Sequence, residues 1–335
     1  MRRHRKNAGQ VFSALFAALT LVCLAVVVAH RVAPQTPAPE SRYEAVWTRV
    51  NDNFLFEDRL AGWQARKSPP RRFTSMKAAE AEIDSMLSTL NDRYTRYYRP
   101  AEKQHRESRR AATNVVTWRM LPDGVGYVKI RTFSSSNTAS EVEQALKALS
   151  GARALIIDLR GNGGGLVWQS FRVFALFTDQ GVFQTATGRK DGKPWTGRLE
   201  LEAGKLVEYE DGSETSRKDG PANLTGNKPL TILVDGNTAS ASEALAGALR
   251  HHRSARLVGK TTFGKGIMQT TFELPGGAAI KVTQAYIYQP DGKCIHKLGL
   301  EPDFQATANG TGAGRKDTVL DQALKVTETT LAPGN

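Results

Sequence analysis

Cysteine and histidine are scarce in this chain, and two common catalytic signatures are missing. Its 335 residues include two cysteines, Cys23 and Cys294, and six histidines. Their number and spacing predict neither a disulfide framework nor a thiolate metal site, and no H-E-x-x-H pattern occurs. The G-x-S-x-G turn of many serine hydrolases is also absent. We therefore expect no metal and no cofactor, and any catalytic serine must lie in another kind of turn.

Acidic residues are outnumbered: 46 Lys and Arg against 33 Asp and Glu give a net charge of +13. The first 30 residues supply four of these charges, and residues 103–110 (KQHRESRR) form a second basic run. A nucleic-acid-binding surface would add interleaved aromatic residues or a known motif, and the sequence has neither. The basic runs indicate a solvated face that could lie near anionic lipid. We expect no nucleic-acid partner.

Long apolar runs are rare as well, apart from the 19 uncharged residues 11–29 near the N-terminus. A basic segment before such a run is typical of a secretory signal or a membrane anchor. The run is about as long as a bilayer-spanning helix, roughly 20 residues, and the residues before His30 make a poor cleavage site. We favour an uncleaved anchor over a cleaved signal. In both cases the rest of the chain is exported, to the periplasmic or cell-surface side of the membrane.

The remaining sequence divides by composition. Helical periodicity dominates the first part, and from Gly124 strands and helices alternate, which predicts an α/β core with parallel strands. A polar, glycine-rich stretch inside the core has the pattern of an inserted β lobe. The predicted parts are a basic tail (1–10), the anchor or signal (11–29), a Pro-rich linker (30–41), an N-terminal helical segment (42–112), the core (113–305, with the lobe at 188–226), and a C-terminal helix and tail (306–335).

Two turns follow buried strands of the core and are candidates for a functional site. DLRGNGGG (158–165) follows ALII, and DGNTASASE (235–243) follows LTILV. Turns at the carboxyl ends of parallel strands collect active-site groups. The backbone amides of Gly165 and Ala241 could hold an oxyanion there. Ser240 is either the N-cap of the next helix or a nucleophile, whereas Ser242 lies inside that helix.

A third stretch, GKTTFGKGIMQ (259–269), contains Lys265. It nearly matches a phosphate-binding loop, but Gly266 replaces the magnesium-binding Ser or Thr, and a strand follows instead of a helix. A general base is the better interpretation. Free lysine titrates near 10.4, and burial lowers that value by penalising the ammonium form. Three apolar neighbours could exclude water from Lys265, and Gln269 could hold its amine without adding negative charge. The neighbours are Phe263, Ile267 and Met268.

In six ordered motifs the chain resembles the carboxy-terminal processing peptidases, or tail-specific proteases, over roughly residues 42 to 304. The family comprises serine endopeptidases with a Ser–Lys dyad, on a fold related to the crotonase and Clp-protease cores, built from β-β-α units. The motifs are LNDRYTRYY (90–98), GVGYVKIRTFS (124–134), IIDLRGNGGGL (156–166), TASASEALAGAL (238–249), GKTTFGKGIMQ (259–269) and LGLEPD (298–303).

The resemblance implies an acyl-enzyme mechanism on protein or peptide substrates, with cleavage near their C-termini. It places the nucleophile at Ser240, the base at Lys265 and its support at Gln269, with oxyanion amides at Gly165 and Ala241. The 25-residue spacing from Ser240 to Lys265 fits the family.

The sequence departs from the family at two places. Only about 25 residues separate Tyr98 from Gly124, where most members carry a PDZ domain that captures substrate tails. We therefore expect a member without that domain, and an adaptor could supply substrate recognition. Residues 250–253 (RHHR) stand where members often have an acidic residue.

Two alternatives to a protease remain open at this point. Some relatives of this core bind peptides or hydrophobic ligands without cleaving them. A crotonase-like acyl-CoA enzyme would also use a glycine-rich oxyanion hole, but it would not need an exported, anchored chain.

Overall fold

The structure, a computed structural model, describes residues 37–67, 71–307 and 317–331. The chain divides into residues 1–38 and a compact unit of residues 39–335, to which all the helices and strands below belong. The predicted basic tail and apolar segment 11–29 lie outside the described residues. Within the described ranges, no helix combines the length and apolar character needed to cross a bilayer.

The described part of residues 39–110 contains three α-helices. The first two helices pack their apolar faces together and onto the strand that carries Ile280 and Val282, forming one buried cluster. The second of these helices begins after Ser75, whose hydroxyl accepts a hydrogen bond from the Ala78 amide, as expected of an N-cap. The elements are α1 (Pro39–Asn53), α2 (Met76–Ser88), β1 (Arg96–Tyr98) and α3 (Pro100–Arg110).

The parallel sheet predicted for the core is a six-stranded sheet in which only one strand runs antiparallel. Its central strands are fully buried and rich in Leu, Ile and Val, as expected when helices cover both faces of a sheet. The strands, in spatial order, are β13 (Phe304–Gln305), β10 (Arg256–Gly259), β9 (Leu230–Val234), β4 (Ala154–Asp158), β3 (Val125–Ile130) and the antiparallel β2 (Val116–Met120).

The second sheet is antiparallel and has seven strands. It joins β1 to the long β12, which also pairs with β11 and continues into a meander of four strands. The new strands are β5 (Gly181–Lys190), β6 (Lys193–Glu202), β7 (Lys205–Glu210), β8 (Ser213–Asp219), β11 (Ile267–Glu273) and β12 (Ala279–Tyr288).

The meander corresponds to the expected β lobe, but its strands run from 181 to 219, whereas the sequence placed the lobe at 188–226. The difference arises because β5 hydrogen-bonds to β12 as well as to β6. The lobe is therefore an extension of the second sheet rather than a separate hairpin.

Four further helices complete the described fold. The mixed α/β class expected from the sequence is confirmed. Between β1 and β3, where a PDZ domain would have to be inserted, the chain forms only α3 and β2 as regular elements before a short turn. The helices are α4 (Thr138–Ala148), α5 (Val167–Ala175), α6 (Ala241–Arg253) and α7 (Thr318–Leu331).

Candidate active site

The turns after β4 and β9 meet because these two parallel strands are neighbours in the sheet. Direct hydrogen bonds join the turns. The Ala239 amide donates to the carbonyl of Asn162 at 3.0 Å, and the Thr238 hydroxyl donates to that of Leu159 at 3.0 Å. The two turns are thus joined directly, by one backbone hydrogen bond and one from a threonine side chain.

The closest approach between the turns is at Gly164. Its φ is +88°, and a Cβ there would lie 2.6 Å from the Ala239 carbonyl oxygen and 2.9 Å from the Ser240 Cβ. Only glycine has both the positive φ and the space that this contact needs. The glycine-rich turn therefore packs directly on the Ser240 turn.

Gly165 and Ala241 line the same cavity as Ser240. Gly165 has a φ of +150°, and a Cβ on it would lie 2.2 Å from the backbone of Phe133 and Ser134. Among the residues with described positions, neither amide N–H has a hydrogen-bond acceptor. Two such donors beside one hydroxyl can stabilise negative charge on a bound group.

Ser240 occupies the N-cap position of α6 with φ 60° and ψ −121°. This backbone conformation is rare for a residue with a side chain, and it costs on the order of 1–3 kcal/mol. The turn places Ser240 at the cavity, half-buried. Ser242 is fully buried and is not among the cavity-lining residues. The structure therefore favours Ser240 over Ser242, as the sequence analysis did.

Glu243 is a central residue of the site that the sequence analysis did not identify. Its side chain is fully buried. Oε2 accepts hydrogen bonds from the backbone amides of Ser240 (2.7 Å) and Lys265 (2.9 Å). Oε1 accepts from the Thr262 hydroxyl (2.5 Å) and the Gly264 amide (2.7 Å). One carboxylate thus ties the turn of residues 235–243 to residues 260–266, the segment between β10 and β11 that is called the lysine loop below. The S-x-x-E pattern of a capping box was a signal that could have pointed to it.

The lysine loop is also held from a later part of the chain. The Thr262 amide donates to the Leu300 carbonyl at 3.1 Å, and the Leu300 amide donates to the Thr262 hydroxyl at 2.7 Å. The Lys297 amide donates to the Gly264 carbonyl at 2.8 Å. These contacts tie LGLEPD and the residue before it to the lysine loop.

Lys265 lines the cavity, and its pKa is lowered from 10.5 to about 8. Burial is the largest cause, and the positive charge of Lys281 adds to it. Asp92 and Glu243 act in the opposite direction. The amine lies 4.8 Å from the centroid of the Tyr94 ring, a contact within cation–π range.

Not every expected contact is present. No hydrogen bond between the Ser240 hydroxyl and the Lys265 amine is found among the described residues, and Gln269 does not bind that amine either. Instead, Gln269 Nε2 donates to the Ile267 carbonyl at 3.4 Å. Phe263 was expected to shield Lys265 from water, but its side chain is 45% exposed. Ile267, the second expected neighbour, is buried, and the ring that lies against the amine is that of Tyr94, which belongs to the LNDRYTRYY motif.

The cavity that contains these groups has a volume of about 670 Å³. All five residues singled out in the sequence (Ser240, Lys265, Gln269, Gly165 and Ala241) line it. Apolar side chains such as Ile287 and Ile295 form part of its wall, and α3 contributes two arginines, Arg106 and Arg110. The arginines come from the run that the sequence analysis treated as a solvated face.

A family model described as peptidase family S41 matches residues 124–306, more than half of the chain. The chain belongs to peptidase family S41. The match covers both turns, the lysine loop and the strands that carry them. It also bears out the resemblance to carboxy-terminal processing peptidases recognised in the sequence.

Two curated S41 relatives are named as processing proteases. The carboxy-terminal processing protease CtpA of Bacillus subtilis is 36% identical over 192 residues, covering 56% of this chain and 36% of that protein. The carboxyl-terminal-processing protease of Synechocystis is 38% identical over 181 residues, covering 53% of this chain and 37% of that protein. The chain thus spans somewhat more than a third of the length of these relatives.

A solved structure shares the S41 fold described here. The photosystem II D1 C-terminal processing protease superposes with a TM-score of 0.61 and 20% identity, over 81% of this chain and 93% of that one. At this level of identity the similarity is evidence of a common fold.

Proposed function

We propose that this protein is a serine endopeptidase that cleaves proteins or peptides near their C-termini, with Ser240 as nucleophile and Lys265 as base. The observation that carries the proposal is the shared carboxylate of Glu243. It binds the backbone of both Ser240 and Lys265 at one cavity, in a chain of a peptidase family. A binding module would have no need to hold these two turns together.

In the proposed reaction, Ser240 Oγ attacks a peptide carbonyl while neutral Lys265 accepts its proton. The Gly165 and Ala241 amides stabilise the tetrahedral oxyanion. Lys265 then gives the proton to the leaving amine, an acyl-enzyme remains, and Lys265 activates the hydrolytic water. Gln269 supports the amine through a neutral hydrogen bond once Lys265 turns from Tyr94 towards Ser240.

The lowered pKa of Lys265 supports the role of base. A lysine with a pKa of about 8 is neutral in roughly one molecule in ten at pH 7, compared with roughly one in several thousand for a free lysine. General bases work best when their pKa lies near the working pH. Burial of the amine therefore supplies what the reaction needs without a histidine.

The substrate side of the proposal rests on the names of the relatives, which describe processing at carboxyl termini. We further propose that the chain is exported and anchored through residues 11–29. The basic segment before that run supports this topology. An adaptor protein could bring substrates to the anchored enzyme.

The test compares the full chain with its Ser240→Ala, Lys265→Ala and Ser242→Ala variants on denatured casein. Fragments are counted by mass spectrometry. Because nucleophile and base act as a unit, each of the first two variants should lose activity by about 10⁴-fold or more. Ser242→Ala is the matched control and should retain most of the activity. Near-normal cleavage by Lys265→Ala would refute the dyad.

A non-catalytic peptide- or ligand-binding module is the second candidate. The absence of a hydrogen bond between the Ser240 hydroxyl and the Lys265 amine within the described structure favours it. The same experiment separates the two functions, because a binder would yield equal amounts of fragment from the full chain and from Ser240→Ala.

A further inference from the structure

The α3 helix is fixed against the cavity at both ends. Near its start, Lys103 pairs with Glu273 of β11. At its end, the amide and hydroxyl of Ser136 both donate to the Arg110 carbonyl, at 2.8 and 2.9 Å. The helix is thus joined to β11 by an exposed ion pair and to the segment after β3 by hydrogen bonds. Arg106 and Arg110 are four residues apart, so they lie on one face of the helix, and both line the cavity.

The charged residues that line the cavity all carry positive charge. Four of its lining residues are cationic: Arg106, Arg110, Lys265 and Lys281. None of its lining residues is Asp or Glu. Within the described part of the chain, no carboxylate lies within 4.0 Å of the charged groups of Arg106, Arg110 or Lys281. By contrast, Lys103 pairs with Glu273 and Arg96 with Glu102. A cleft with walls of one sign concentrates ions of the opposite sign.

Two of these cations lie near the ring of Tyr98. The Arg106 guanidinium lies 4.5 Å and the Lys281 amine 5.9 Å from the ring centroid. Arg96, the cross-strand partner of Lys281, lies 5.5 Å from the same ring but does not line the cavity. Stacking on a ring orients an arginine while leaving its N–H groups available. An anion in the cavity would therefore meet oriented donors as well as positive charge.

We propose that Arg106 and Arg110 of α3 bind a carboxylate of the peptide substrate and thereby select peptides that carry negative charge close to the cleaved bond. The carboxylate is either the C-terminal group or the side chain of an Asp or Glu, which present the same chemistry to the guanidinium groups. This inference rests on the proposed peptidase function. It assigns to α3, in the interval between β1 and β3, a part in substrate recognition.

The experiment uses one fluorescently labelled synthetic peptide in four forms, with Glu or Gln at one position and a free or amidated C-terminus. Binding is measured by fluorescence anisotropy to the full chain carrying Ser240→Ala, so that no peptide is consumed. We expect Kd to be about three- to tenfold lower for a form with the recognised carboxylate, and high salt to reduce the difference. The free-acid arm identifies the terminal carboxylate as the source, and the Glu arm identifies the side chain.

Variants then assign the preference to α3. In Arg106→Gln/Arg110→Gln the Kd ratio between charged and neutral peptides should fall to about one. Arg106→Lys/Arg110→Lys should retain most of the preference because it keeps the charge. Arg96→Gln is the control: it removes one positive charge at the same ring but outside the cavity, and it should keep the ratio of the unchanged protein. Equal affinity for all four forms, or a preference that survives the double glutamine variant, would overturn the proposal.

Cleavage of the same peptides by the chain with Ser240 intact separates this inference from the proposed function. A carboxylate preference in binding without any fragments would leave the α3 site standing and refute the peptidase. Fragments without a carboxylate preference in binding would support the peptidase and refute the α3 site.

Discussion

Replacing Lys281 by methionine should move the pH dependence of hydrolysis to higher pH. Lys281 is the second cause of the lowered Lys265 pKa after burial. Removing its charge removes a repulsion that disfavours the ammonium form of Lys265, so the pKa of Lys265 rises. Burial remains, because methionine fills a similar volume beside β11.

The size of the effect follows from the Lys265 pKa of about 8. If only the neutral amine is active, the active fraction rises from roughly 10% at pH 7 to roughly 90% at pH 9. The wild-type kcat/KM should therefore increase about tenfold over this interval, with its midpoint near the Lys265 pKa. In the variant, every unit by which that pKa rises lowers the rate at pH 7 about tenfold and leaves the high-pH limit unchanged.

The assay is kcat/KM between pH 6 and pH 10 on the peptide form that lacks carboxylates, so that substrate recognition by cations does not contribute. The kcat/KM profile reports the titration of the free enzyme. Lys147→Met, on the exposed face of α4, is the control and should keep the wild-type midpoint. A flat wild-type profile from pH 7 to pH 9, or identical midpoints for wild type and Lys281→Met, would refute the argument.

Three further predictions concern stability and the geometry of the turns. Lys265→Met should stabilise the fold below about pH 8, because the pKa of Lys265 is lower in the folded chain than in the unfolded one. Below pH 8 the buried ammonium form therefore costs up to about 3 kcal/mol of folding free energy, and this cost disappears as pH rises from about 8 to 10.5. Equal urea midpoints of variant and wild type at pH 6.5 would contradict this. Glu243→Gln should lower the free energy of unfolding by about 2–4 kcal/mol, because an amide nitrogen would replace an oxygen that accepts two hydrogen bonds. Denaturant titration measures this loss of stability, and casein cleavage should show a lower kcat. Gly164→Ala should reduce kcat about 100-fold, because the added Cβ displaces the Ser240 turn. Gly163→Ala is its control: a Cβ there meets nothing within 4 Å, so the variant should be as stable as the wild type in a denaturant titration.

Much of the fold could be predicted because strand and helix patterns are local. ALIID and LTILV are short buried runs followed by glycine-rich or Asx-containing turns, and both form neighbouring parallel strands. The lobe boundary was less predictable. Pairing of β5 with β12 joins residues about 100 positions apart, and no local pattern encodes such a register.

The candidate site divides in the same way. Ser240, Lys265 and the glycine-rich turn stand out by their position in motifs. Glu243 and the two α3 arginines do not, because their importance depends on what the folded chain places beside them. A glutamate three residues into a helix usually caps only its own helix, yet here it also binds a loop about 20 residues away. An exposed arginine pair usually faces solvent alone.

The hydrogen bonds between Leu300 and Thr262 determine when, during synthesis of the chain, the lysine loop can become ordered. Chains emerge from the ribosome N-terminal end first, and domains fold as their segments become available. Ser240 and the glycine-rich turn are made long before residue 300, but the lysine loop acquires its last backbone partners only when Lys297 and Leu300 have been added. A nascent chain shorter than this carries a nucleophile without a fixed base. The proposed peptidase would therefore have no ordered pair of nucleophile and base until this last part of the core is present.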